Sequence, residues 1–371
     1  MKISELKSQI PYLSSRPTLS ILLPAALRLA ACTGLLASLL ACAPGPQGPL
    51  AYVTNERDGT VTVIDTATDR VLTTWKIGGR LRGVRVSADG RTVYVASSTP
   101  SGKNYDPKEN HVAAIDASTG SVVATYEVGS DPEQLAVLPD GSRLYASNED
   151  AGTASVIDLK TGRTLATLVA GIEPEGVRTS PDGHWVYVTS ETSNTVSVID
   201  TKGDNIAATF VVDSRPRDVA FSPDGSRAYV TTEIGRTLAV VDAAAHRVVR
   251  TVALPNNAAG IKPMGVVVSR DGSRVYVATG RGDAVYVVDA NTFEVVAQIP
   301  TGRRPWGLAI TPDGRKVYAA CGGGSDAQAA NASPETKPPG ANEVTVIDTS
   351  TNRVAASIKA GDGPWGIAIG Q

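Results

Sequence analysis

Tyrosine recurs through this chain at an almost fixed interval. In the strand-like runs AYVT, VYVA, LYAS, VYVT, AYVT, VYVA and VYAA it falls at Tyr52, Tyr94, Tyr145, Tyr187, Tyr229, Tyr276 and Tyr318, and four of the six spacings are 42 residues. Each tyrosine is followed by a V-I-D or V-V-D type run ending at Asp65, Asp116, Asp158, Asp200, Asp242, Asp289 or Asp348. The separation is 13 residues in five repeats, with excesses of 9 in the second and 17 in the seventh. A fixed period of this size is the signature of a repeat architecture, in which one supersecondary unit is copied along the chain.

Each unit reads as four short strands. An apolar run such as GVRTS leads through a Pro-Asp-Gly turn to VYVTS, then to TVSVID, then to a fourth run such as NIAATFVV. Proline presets the turn and glycine supplies a positive φ, as at Pro181, Asp182 and Gly183. Seven four-stranded antiparallel units of this length predict an all-β, seven-bladed β-propeller over residues 50–371. Residues 51–77 supply only the second, third and fourth strands of a blade. The missing innermost strand is WGIAI, 365–369, so the C-terminal strand is expected to join the N-terminal blade and leave no open seam.

The first 41 residues differ from the rest. After Arg28 comes LAACTGLLASLLA, a run of 13 small or apolar residues, the length of a signal-peptide core and too short to span a bilayer. Leu39, Leu40, Ala41 and Cys42 resemble the bacterial lipobox, whose cysteine becomes the lipidated N-terminus. The expected organisation is a lipoprotein signal peptide over 1–41, a short linker over 42–49 after lipidated Cys42, and the propeller. The protein is then exported and anchored to a membrane of the bacterial envelope. Cys32 leaves with the leader and Cys42 is acylated, so Cys321 has no disulfide partner and is read as a packed small residue.

Charge excludes one class of partner. Four of the 35 basic residues and one of the 37 acidic residues precede Cys42, so the propeller is more acidic than the whole chain, whose net charge is −2. No basic cluster suits a phosphate backbone, and no nucleic-acid partner is expected.

In a propeller, loops between strands two and three share a face with those from strand four to the next strand one. The three insertions, at SSTPSGKNYDPKENH, CGGGSDAQAANASPETKPPGANE and LPNNAAGIK, therefore elaborate one face. At that face each first strand opens with a related tripeptide, whose middle residues are Arg82, Glu133, Glu175, Arg217, Met264, Trp306 and Trp365. These are expected to ring the mouth of the central channel, one arc apolar and aromatic, the other charged. Four positions after the repeat tyrosine stand Glu56, Glu149, Glu191 and Glu233, leaving the second strand toward the same face. They are solvated loop acids, or acids paired with Arg82, Arg215 and Arg217, or polar members of a recognition ring beside an aromatic shelf that takes a small molecule or a protein partner.

Catalytic signals are sparse. His111, His184 and His246 occupy unrelated repeat positions, so neither a zinc site nor a histidine relay is expected. The V-I-D aspartates occur in every repeat and are read as turn braces. No organic cofactor is predicted. Clustered carboxylates at the mouth leave a divalent cation as an option.

YVTN at 52–55, VIDTAT at 63–68 and the repeated SPDG resemble the YVTN-repeat β-propeller family. SNED at 147–150, GIEPEG at 171–176 and the terminal PWGIAI look like its subgroup associated with PQQ-dependent alcohol catabolism. That resemblance implies an accessory beside periplasmic quinoprotein dehydrogenases, not PQQ binding or alcohol oxidation. The enzymatic alternative is a lactonase-type propeller, in which Glu133, Glu149, Glu175 and Glu191 hold a metal that activates water.

Overall fold

The computed structural model describes residues 47–99, 109–256, 260–322 and 341–370. Cys42, the leader, and the bulk of the insertions in the second and seventh repeats lie outside the described residues. Among the described residues, 28 strands form seven four-stranded antiparallel sheets, and no helix is long and apolar enough to cross a membrane.

Six blades use consecutive strands. Their innermost strands are β4 (Arg80–Val86), β8 (Pro132–Val137), β12 (Pro174–Thr179), β16 (Pro216–Phe221), β20 (Pro263–Val268) and β24 (Pro305–Ile310), which begin blades two to seven. The first blade is composite: β28 (Pro364–Ile369), β1 (Leu50–Asn55), β2 (Thr60–Asp65) and β3 (Arg70–Lys76), in that order. Ala51 stands opposite Ile369, Tyr52 opposite Ala368 and Val53 opposite Ile367, so the two ends of the propeller share one sheet as the repeat register requires.

Burial explains the strand composition. In β1 and β2 every residue but the first is buried, because both sheet faces are covered by neighbouring blades, and near-continuous apolar runs result. The outermost β3 is exposed except at Trp75, which is half-buried. Each buried Val, Leu or Ile contributes about 1.5–3 kcal/mol, which makes the inner strands the stabilising part of every repeat.

The repeat tyrosines are buried, and the hydroxyls of three of them tie blades together. Tyr145 donates to Asp204 at 2.9 Å, Tyr187 lies 2.7 Å from His246 Nδ1, and Tyr318 bonds Asp69. Asp204, His246 and Asp69 each sit in the outer turn of the following blade with left-handed backbone (φ 48°, 48° and 55°), which aims their side chains back at the tyrosine. His246 is thereby a structural residue. The V-I-D aspartates brace turns as expected: Asp116 accepts from the Ser118 and Thr119 amides, both at 2.9 Å.

A second set of bonds fixes the channel lining. Thr54 Oγ1 accepts from the Gly366 amide at 2.9 Å within its own blade and donates to the Arg82 carbonyl of the next at 2.5 Å. Thr189 does the same between Gly176 and Arg217, at 2.8 and 3.0 Å. The blades approach so closely that a Cβ on Gly366 would lie 2.4 Å from the Arg82 carbonyl oxygen, which only glycine avoids.

Candidate functional site at the channel mouth

Two local devices bring the aligned positions together. The residue before each first-strand proline adopts left-handed backbone at Asp131, Glu173, Arg215 and Arg304 (φ 52°, 55°, 61° and 53°), turning the chain into the channel. The carbonyls of the first three then accept the amide of the residue four after the tyrosine: Glu149 donates to Asp131 at 2.9 Å, and Glu191 to Glu173 and Glu233 to Arg215, both at 2.8 Å. Glu56 is tied to Gly363 in the same way, at 2.8 Å. Two positions far apart in each repeat therefore meet at one rim.

The rim encloses a cavity of about 770 Å³. Nine of the eleven predicted mouth residues line it: Glu56, Arg82, Glu149, Glu175, Arg217, Glu233, Met264, Trp306 and Trp365. Glu133 and Glu191 lie just beneath, buried and salt-bridged to Arg82 and Arg217 respectively. Met264 and Trp365 present only an edge, since both are buried. Trp306 and Trp365 form the apolar arc, with ring centroids 5.5 Å apart and planes 33° from parallel. Arg82 lies over Trp365 at 5.4 Å and Arg217 over Trp306 at 4.8 Å, so each arginine joins the aromatic arc to the acidic one.

The acids are not solvated loop groups. Glu56 accepts from Arg80 Nε at 2.9 Å and Arg82 Nε at 3.1 Å, and Arg80 also grips Asp131 at 2.8 Å. On the other flank Glu233 takes Arg215 Nε at 2.9 Å, Arg217 Nε at 3.1 Å and Lys262, while Arg215 joins Arg217 on Glu191. Arg80, Asp131 and Lys262 were not picked out from the sequence, although each stands two residues before a mouth residue, a position charged in six repeats.

Between the flanks the charges are unbalanced. A rim acid of one blade meets the tripeptide of the next; Glu56 thus meets Arg80 and Arg82, whereas Glu149 of blade three meets Glu175 of blade four. Among the described residues Glu175 makes no hydrogen bond through its carboxylate, and its nearest cation is Arg217, at 3.7 Å. Burial, then Glu133, raise its pKa to about 8 against the opposing pull of Arg217 and Arg82. Burial likewise raises Glu133 and Glu149. Glu233 moves the other way: burial is outweighed by Arg217 and Lys262. Carboxylate oxygens of Asp131, Glu133 and Glu149 fall within 4.8 Å of one another, as do those of Glu149, Glu175 and Glu191. Such spacing suits a hard divalent cation, whose oxygen ligands stand about 2.0–2.6 Å from the ion.

The profile of the choice-of-anchor I domain matches residues 43–258, more than half of the chain. The chain belongs to the choice-of-anchor I domain family. This choice-of-anchor I propeller is also similar, over residues 207–342, to the family described as lactonase, 7-bladed beta-propeller. No curated protein sequence matches it. Among solved structures it is similar to Kuenenia stuttgartiensis hydrazine synthase, at 22% identity over 78% of this chain and 89% of that one, with a TM-score of 0.64. It is also similar to a functionally unknown protein from Desulfotomaculum acetoxidans DSM 771, at 19% identity over 87% and 99%, with a TM-score of 0.69. At these identities the likeness is one of fold.

Proposed function

We propose that the propeller is a non-catalytic binding scaffold that takes a small polar ligand with one flat apolar face into the channel mouth. The observation that carries this reading is the division of one cavity into a Trp306–Trp365 arc and a charged arc joined by Arg82 and Arg217. A concave site of about 770 Å³ falls in the range that small ligands occupy and is too confined to be the centre of a flat protein interface. Native mass spectrometry of protein isolated from its own envelope tests it. Wild type is expected to carry a bound small molecule that Trp306→Ala and Glu175→Gln lose; identical spectra for all three would remove the mouth from the account.

The scaffold is exported and held at the envelope through lipidated Cys42, a reading supported by the lipobox-like sequence and in keeping with a family named for its choice of anchor. Labelled palmitate is expected to enter wild type and not Cys42→Ser; label persisting in the variant overturns the anchor. The accessory place beside quinoprotein dehydrogenases is supported by the YVTN-subgroup resemblance.

A second reading, metal-assisted hydrolysis, is favoured by the lactonase-family match and by the two carboxylate sets that share Glu149. Glu149, with either Asp131 and Glu133 or Glu175 and Glu191, would hold the ion, which supplies an activated water when bound. Protein purified without chelator is then expected to contain one divalent ion per chain, absent from the Glu149→Ala, Glu191→Ala double variant. A metal-free wild type with unchanged ligand binding in that variant leaves the first reading alone.

A further inference from the structure

We propose that the channel waist, below the mouth and independent of the ligand bound there, holds a small anion between Arg85 and Arg178. Three residues after each mouth residue the innermost strands reach the level of the repeat tyrosines, with Arg85 opposite Tyr94 and Arg178 opposite Tyr187. The other five residues at this level are Ala136, Ala220, Val267, Ala309 and Ala368. Two guanidinium groups are thus inserted into a collar otherwise built of alanine and valine.

Arg85 belongs to blade two, yet its Nη2 reaches the Val177 carbonyl of blade four at 3.5 Å, past the small Ala136 of blade three, while Nη1 donates to Val84 at 2.7 Å. Its guanidinium consequently comes to rest beside the peptide of Arg178. Arg178 donates Nε to the Val219 carbonyl at 3.0 Å and places Nη2 3.6 Å from Asp218.

That carboxylate is already shared, because it accepts the amides of Val219 at 2.8 Å and Val266 at 3.2 Å. Among the described residues no carboxylate comes within ion-pairing distance of Arg85, whose only partners are backbone carbonyls. Two cations therefore face one committed anion in a collar otherwise built of small apolar side chains. Burial, then Arg178, lower the Arg85 pKa to about 9 against the pull of Asp218, so at neutral pH it is still charged, with no carboxylate of the described residues in contact with it. A carbonyl cannot neutralise a guanidinium, and a charge partly withdrawn from water without a compensating anion is costly. A small anion seated on the remaining N–H groups of both arginines offsets that cost. Chloride, phosphate and a free carboxylate share the required chemistry.

The melting temperature is measured in sodium gluconate while chloride, phosphate or acetate replaces gluconate at constant ionic strength. At least one of the three is expected to raise it by about 2–5 °C with saturation, as a ligand of the native state does, and the identity of that anion names the source. In Arg85→Met, which removes the unpaired cation, the rise is expected to vanish while the melt in gluconate is at least as high as that of wild type. Arg178→Met provides the same comparison if Arg85→Met does not fold. A crystal grown in bromide is expected to show an anomalous peak within reach of both guanidiniums. No response in wild type, a response unchanged in the variants, or a waist without bromide when chloride is the responding anion overturns the proposal.

Discussion

Arg217 of the fifth blade lies over the indole of Trp306 in the seventh, 4.8 Å from the ring centroid, while gripping Glu191 of the fourth. One side chain thus connects three blades across the channel and joins the two chemically distinct arcs of the mouth. Its loss would free an aromatic face and leave buried Glu191 to Arg215 alone.

The half-paired acid dominates the energetics. Glu191 is buried and keeps Arg215, so Arg217→Met is expected to destabilise the fold by less than the about 3–5 kcal/mol that an acid left wholly unpaired would cost. Adding Glu191→Gln is expected to restore most of that loss. Urea denaturation of the two single variants and the double variant measures it, and additive costs would mean that the residues do not couple.

Acid titration at the mouth predicts an unusual pH profile. The folded pKa of Glu175, raised to about 8 from an ordinary value near 4.5, means that the folded state holds a proton which the unfolded state releases. Its contribution to stability is fully present below about pH 4.5 and declines as pH rises toward 8. Glu175→Gln is expected to flatten that decline and to melt above wild type at pH 9. Thermal melts across pH 5–9 decide this; parallel slopes for both proteins would assign the effect to other groups.

Ring closure makes Gly366 sensitive. A Cβ there meets the Arg82 carbonyl at 2.4 Å, a backbone atom with no rotamer to adopt, so Gly366→Ala is expected to cost about 1–3 kcal/mol. Removing residues 364–370 withdraws β28 from β1 and is expected to abolish the cooperative melt, since the first blade is left with an unpaired inner edge. Calorimetry on both variants checks the order of severity.

Cys321 is expected to be inert. It is buried in the core, and desolvation pushes its thiol up to about 12. Iodoacetamide at pH 8 is expected to leave the folded protein unmodified and to label Cys321 fully in guanidinium. Rapid labelling of the folded form would mean that this strand end opens readily.

Much of this architecture is legible along the chain because each blade buries the same positions. Tyr52 and its six counterparts occupy one level of one strand, so the period emerges from burial alone, and the absent first strand before Leu50 points directly to 365–369. The mouth is legible as a ring of seven aligned residues for the same reason. What alignment does not convey is charge pairing between blades. Glu149 and Glu191 are identical in repeat position, but Glu191 meets Arg215 and Arg217 of the following blade whereas Glu149 meets Glu175, and only the three-dimensional neighbour separates them. Arg85 and Arg178 escaped notice because single arginines in strands read as solvent-facing residues. Their register, shared with five alanines or valines, is the signal that distinguishes them.

The composite first blade also governs when the protein can become whole. Thr54 accepts the amide of Gly366 across 312 residues of chain. At a synthesis rate of about 5–20 residues per second, roughly 15–60 s separate the appearance of these partners. Throughout that interval the inner edge of β1 is an open template that any extended segment could occupy. A chain of this topology therefore has reason to remain unfolded, or chaperoned, until its last strand has emerged.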